Sequence, residues 1–168
     1  MKPPLVLVMG VSGAGKSTVG ALLAARLGLR FADADEFHPA ANIAKMSRGE
    51  PLTDEDRWPW LDAIGAWLDA QGAATGGGVV TCSALKRVYR ARLLAARPAV
   101  RLLHLHGEPA LIAARQAARP GHFMPASLMA SQFATLELPG EEERPIVLSV
   151  EATPEAIVQA AIAALGGP

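Results

Sequence analysis

The sequence predicts an α/β domain in three layers, with helices covering both faces of a mainly parallel, five-stranded sheet. Three observations lead there. Short β-type apolar runs alternate with helical stretches along the whole chain, which is the pattern of repeated strand-helix-strand units. A glycine-rich turn follows the first apolar run directly and opens a helix, as in a strand that feeds a phosphate-binding loop. The chain has 168 residues, 51% hydrophobic and 19% charged, enough for one domain, residues 1–168, with a sizeable core.

The elements follow in order. Leu5 to Met9 is an unbroken apolar run and predicts the first strand, with a helix from Lys16 through Leu27. Arg30 to Ala32 predicts a short second strand ending in Asp33-Ala34-Asp35. Thr53 is suited to cap a helix beginning near Asp54, with Asp56 as its reciprocal partner three residues on. In that helix Trp60, Ile64, Trp67 and Leu68 recur at helical spacing and predict a core-facing stripe. Gly72 to Gly78 reads as a connection into a third strand, Val79 to Cys82, and a helix starts near Lys86. Val100 to Leu105 and Ile146 to Val150 complete the strands, followed by helices from near Glu108 and Pro154. Between them, Glu141-Glu142-Glu143 reads as a solvated turn.

Composition narrows the function classes. Sixteen basic and sixteen acidic residues cancel, so no overall field is available to hold a nucleic acid and any anion site must be local. Cys82 is the only cysteine, which excludes an intrachain disulfide framework and suits a reducing, cytoplasmic setting. It stands in a strand-like run, where a thiol packs as a small hydrophobe. The apolar run after Met1-Lys2-Pro3-Pro4 is too short for a signal peptide, and no stretch approaches the roughly 20 apolar residues of a membrane span. His104 and His106 alternate on a strand without a carboxylate or cysteine partner in sequence and read as structural.

Gly10-Val11-Ser12-Gly13-Ala14-Gly15-Lys16-Ser17 has the spacing G-x-x-x-x-G-K-[ST]. The glycines let several backbone N–H groups converge on one anion. Lys16 brings a charge to the β- and γ-phosphates, and the Ser17 hydroxyl is placed for Mg²⁺. The helix continuing through Thr18 directs its positive dipole end at the same phosphates. These residues predict a nucleotide site, and motors, switches and kinases all share it.

The acceptor side is more open. In an extended segment Asp33 and Asp35 would point to one side of the sheet, one able to orient a hydroxyl and the other to hold Mg²⁺; the alternative is a turn or helix cap. His38, in the same cleft-edge segment, is either structural or a polyol contact. Arg115 and Arg119, four apart on one helix, form either a solvated basic face or phosphate contacts beside the break at Pro120-Gly121. Lys86 and Arg90 have the same spacing at the carboxyl end of the third strand, where a second substrate belongs. Arg57 either pairs with its acidic neighbours or takes a substrate carboxylate.

Taken together, these motifs resemble the gluconokinases, small P-loop sugar-acid kinases related in fold to shikimate and nucleoside monophosphate kinases. The resemblance rests on Gly10 to Ser17, on Asp33-Ala34-Asp35 with His38-Pro39, and on Asn42-Ile43-Ala44-Lys45-Met46. It extends through Gly49 to Arg57, Pro59-Trp60-Leu61, Cys82-Ser83-Ala84-Leu85-Lys86, Tyr89-Arg90, Gly121-His122-Phe123 and Gln132 to Glu137. It implies a P-loop kinase fold with a helical lid over about residues 115–135, and ATP-dependent phosphorylation of D-gluconate at its 6-hydroxyl. It also implies that Lys16, Asp35 and Arg119 are catalytic, with Asp35 on the acceptor hydroxyl and Asp33 beside Mg²⁺. Arg115 and Arg119 become lid contacts to phosphate, and His38, Arg57, Lys86, Arg90 and His122 become acceptor contacts. A homodimer is implied in the same way. A switch or motor is disfavoured, since the third strand ends in Thr81-Cys82-Ser83 without a Walker B carboxylate and the only asparagine, Asn42, is not followed by lysine.

Overall fold

Alternating side chains along the central strand build two separate cores. In a computed structural model of the chain, which describes residues 3–118 and 126–166, strand β1 (Leu5–Met9) is flanked by β3 (Gly78–Thr81) and β4 (Val100–His106). The edge strands are β2 (Phe31–Ala32) and β5 (Ile146–Ser149), and the order is β2-β3-β1-β4-β5. All pairings are parallel, with Leu5 opposite Gly78 on one side and Val100 on the other. Val6 and Val8 face α1 (Lys16–Leu27) and α7 (Pro154–Ala164) through Val19, Leu23, Ile157 and Val158. Leu7 and Met9 face the opposite layer, packing with Trp60, Ile64 and Leu68 of α3 (Asp54–Ala74) and Leu93 of α4 (Arg87–Leu94). A central strand covered on both faces must be apolar at every position, which is why β1 shows no alternation.

The predicted three-layer architecture is therefore present, with boundaries differing by one or two residues. Helix α5 (Pro109–Ala118) follows β4 as expected. Helix α2 (Ala40–Ser47) was not anticipated, whereas α6 (Ala126–Thr135) falls within the helical region expected over about 115–135. The first is only two turns long and starts behind Pro39, so its periodicity is too brief to read. The Trp60, Ile64 and Leu68 stripe is buried, with Trp67 packed at its margin. Among the described residues no helix is long and apolar enough to cross a membrane.

Three local expectations change. Asp33 and Asp35 do not share a strand face, because β2 stops at Ala32 and the chain turns at once into a 3-10 helix, Ala34–Phe37. Asp33 caps that turn, accepting from the Asp35 N–H at 3.1 Å, while Glu36 accepts from the Asp33 N–H at 2.6 Å. Glu141–Glu143 is not simply solvated: it forms a 3-10 turn whose last carboxylate, Glu143, is 2.6 Å from the Arg90 Nε. Arg90 in turn has a fully buried side chain, so it is not an acceptor contact.

Candidate active site

The donor half is built by the β1–α1 turn. Gly13 and Gly15 take φ of +85° and +90°, conformations open to glycine at little cost. A Cβ on Gly13 would stand 3.0 Å from Gln116 Oε1 and 3.2 Å from Ile112 Cγ2, so α5 closes directly over the loop. Gly15 caps α1, leaving the first N–H groups of that helix to face the loop's concavity. The Lys16 ammonium donates to Val11 O at 3.1 Å and so lies folded along the loop. A cleft of about 410 Å³ runs from Gly13, Gly15 and Thr18 to Arg115 and the Glu151–Pro154 turn. Arg115 donates to the Val150 carbonyl at one wall of this cleft. Arg119 and His122 lie outside the described residues, as does part of the expected lid.

Ser17 and Asp33 come together: the Ser17 hydroxyl donates to Asp33 Oδ2 at 2.5 Å. Two hard oxygens beside a phosphate cradle fit Mg²⁺, which is held by one or two protein oxygens and completes its shell with phosphates and water. The single turn that makes Asp33 a cap thus also delivers its carboxylate to the loop.

The acceptor half lies across the carboxyl ends of β1 and β3. Cys82, fully buried where β3 ends, has its thiol pushed up to about 12 by burial, so it is no nucleophile. The 3-10 turn that carries Asp35 is tied to the phosphate loop by the Ser17–Asp33 bond and to α3, which carries Arg57, by Trp60 Nε1 donating to the Ala34 carbonyl at 2.8 Å. Asp35 is exposed. His38 stacks on Trp60 with ring centroids 4.4 Å apart and planes inclined by 10°. Its Nδ1 lies 3.3 Å from Asn42 Nδ2, which donates also to the Asp56 carbonyl at 2.9 Å. An amide N–H on Nδ1 leaves Nε2 as the protonated nitrogen of the neutral ring. Burial holds the His38 imidazolium below its ordinary value; Asp35 opposes this and Arg57 adds to it.

Arg57 does not pair with its sequence neighbours. Its Nη1 donates to the Tyr89 hydroxyl at 2.7 Å, Tyr89 donates to Asp54 Oδ1 at 2.6 Å, and Lys86 Nζ reaches the same oxygen at 3.2 Å. Both cations also lie over the Tyr89 ring, at 5.3 and 5.5 Å from its centroid. The Tyr89 and Lys86 bonds lower the Asp54 carboxyl, keeping it ionised, and Asp54 raises Lys86. Two cations share one carboxylate here, so the cluster retains positive charge for an anionic ligand.

Arg90 is not part of this surface. Its Nη1 donates to the carbonyls of Ala84, at 2.8 Å, and Leu85, at 3.2 Å, and its Nε and Nη2 engage Glu143. Ala84 has φ of +47°, and its buried loop needs those acceptors satisfied. The spacing that placed Lys86 and Arg90 on one helix face was misleading, because Lys86 is the N-cap residue and stands outside the helix. Tyr89 and Asp54 were missed as site residues, although Tyr89 follows Lys86 by three and Asp54 sits in an acidic first turn. The Glu151–Pro154 turn was missed as well, although it leaves a strand at the carboxyl edge where open α/β sheets bind ligands.

A phosphate loop closed by a serine-carboxylate pair, with a cluster of charged side chains at the same carboxyl edge of a parallel sheet, defines a P-loop kinase of small molecules. The family model for shikimate kinase matches residues 12–164. A gluconokinase of Gluconobacter oxydans is 48% identical over 159 residues, covering 95% of this chain and 89% of that one. The crystal structure of a gluconokinase from Sinorhizobium meliloti superposes with a TM-score of 0.87 at 46% identity, covering 98% of this chain and 93% of that one. A shikimate kinase from Bacteroides thetaiotaomicron, at 16% identity and a TM-score of 0.64, shares the fold. The chain belongs to the gluconokinase family, within the shikimate kinase-like P-loop kinases.

Proposed function

We propose that this protein transfers the γ-phosphoryl group of ATP to the 6-hydroxyl of D-gluconate, giving 6-phospho-D-gluconate and ADP. The observation that carries the reading is that the turn carrying Asp35 is bonded on one side to the phosphate loop, through Ser17 and Asp33, and on the other to α3, through Ala34 and Trp60, where Arg57 joins the Tyr89–Asp54–Lys86 cluster. Name and identity of the relatives point the same way.

In this reading the loop N–H groups and Lys16 hold the β- and γ-phosphates, and Thr18, Arg115 and the Glu151–Pro154 turn border the rest of the nucleotide. Mg²⁺ at Ser17 and Asp33 would neutralise phosphate charge as the leaving oxygen departs. Arg57 and Lys86, braced by Tyr89, take the gluconate carboxylate, and the His38 Nε2–H donates to a hydroxyl of the chain. Asp35 orients the 6-hydroxyl and accepts its proton as the new P–O bond forms and the β,γ-bridging bond breaks. Arg119 and His122 add contacts to phosphate and acceptor, and the enzyme works as a cytoplasmic homodimer, whose dimerisation light scattering on the purified chain tests. Most of the rate then comes from alignment and charge neutralisation.

An ADP-release assay across gluconate, shikimate and related hydroxy acids tests the assignment. Gluconate-dependent ADP with a phosphomonoester signal at C6 is expected; release with another acid and none with gluconate overturns it.

A further inference from the structure

We propose that residues 132–137, at the end of α6, form a strut that sets the spacing between the donor and acceptor halves, with Gln132 and Glu137 as its positioning residues. At one end Gln132 Oε1 accepts from the Ser12 N–H at 2.6 Å, a bond across 120 positions of sequence that fastens α6 to the phosphate loop. One turn later Leu136 packs against the cores on both faces of the sheet, which prevents the helix end from sliding toward either.

At the other end Glu137 holds both the first residue of α4 and the loop that enters it. Its N–H donates to the Leu85 carbonyl at 2.8 Å, and its Oε1 accepts from the Arg87 N–H at 2.8 Å. Lys86, the N-cap residue of α4, makes no capping bond with its own side chain, so Glu137 satisfies an orphan N–H and complements the helix dipole. Lys86 and the first turn of α4 carry the contacts to Asp54 and Arg57. One short helical segment therefore links the rim of the phosphate cradle to the acceptor cluster. In-line transfer is sensitive to such spacing: a displacement of about 1 Å costs on the order of a hundredfold in rate.

The proposal rests on the kinase reading only in that two substrates meet between the loop and α4. Gln132→Ala and Glu137→Ala should each lower kcat about tenfold while the Kd for ATP alone stays within about threefold. The double variant should lose no more than the worse single one, because a strut cut at one end transmits nothing through the other. Glu137→Gln keeps an oxygen for the Arg87 N–H and should restore most of kcat. Losses that multiply to about a hundredfold in the double variant overturn the strut, as do fully active single variants or an ATP Kd that weakens in step with kcat. Amide exchange at Arg87 should also rise in Gln132→Ala, although the two residues do not touch; an unchanged rate counts against the strut whatever the acceptor. Failure of the gluconate reading would show separately, as absent gluconate-dependent ADP in the unaltered protein.

Discussion

Glu143→Ala should be among the most damaging substitutions outside the substrate-binding surface. Arg90 has a wholly buried side chain, Glu143 is 12% exposed, and their contact is 2.6 Å. Removing the carboxylate leaves a buried guanidinium without its counter-ion, a situation that costs about 3–5 kcal/mol. For a domain of this size each kcal/mol lowers Tm by about 2–4 °C, so a drop of about 6–20 °C is expected by calorimetry at pH 7.5. Replacing the pair by two leucines should not rescue it, because the Ala84 and Leu85 carbonyls would lose their donor. Acid should erase the difference. Burial pushes the Glu143 carboxyl up, but the Arg90 bonds and the Gly140 N–H outweigh it and hold it below the ordinary 4.5. The pair's contribution is then complete above about pH 4.5 and fades as pH falls through the lower folded value. Glu142→Ala is the control, since its partner Arg87 is 59% exposed, and should change stability by less than about 1 kcal/mol. A Glu143→Ala variant melting within about 2 °C of the parent would refute the reasoning.

Other consequences follow from the two halves of the site. Asp35→Asn should lower kcat by about 10²–10⁴-fold with little change in ATP affinity; near-normal turnover in a steady-state assay would remove Asp35 from the mechanism. His38 should titrate below 6.5 by NMR, lower still in Asp35→Asn and higher in Arg57→Ala, since the first removes a raising charge and the second a lowering one. The stability linked to neutral His38 is complete above pH 6.5 and lost as pH falls through the folded value, so thermal melts should weaken on that side. Gly13→Ala meets both an unfavourable φ of +85° and Gln116 Oε1 at 3.0 Å, whereas Gly15→Ala meets only its φ, with open space around the added carbon. Calorimetric titration should therefore show the larger loss of ATP affinity for Gly13→Ala, by at least about tenfold.

Legibility in the sequence followed the range of the interactions. The phosphate loop was readable because its chemistry is contiguous: Gly10 to Ser17 carries strand exit, backbone cradle, cation and helix start in one run. Thr53 and Asp56 were readable for the same reason, as a capping box spans only four residues, and both of its bonds are present, at 3.1 and 2.9 Å. The acceptor cluster was half readable. Arg57 and Lys86 were identified as candidates, but the hydroxyl that joins them belongs to Tyr89, 32 positions from Arg57.

By itself, then, the sequence determined the layered α/β architecture, the nucleotide loop and the family pattern, all of which depend on local periodicity and short spacings. Only the tertiary structure decided which charges serve the site and which hold it up. Lys86 and Arg90 are alike in sequence spacing and charge, yet one stands at the surface against Asp54 and the other is sealed against Glu143, 53 positions away. Asp33 and Asp35 likewise separate into a loop-facing cap and an exposed carboxylate because β2 ends after two residues. A charge takes its role from the partner and the solvent that the folded chain brings to it, and neither is encoded within a window of a few residues.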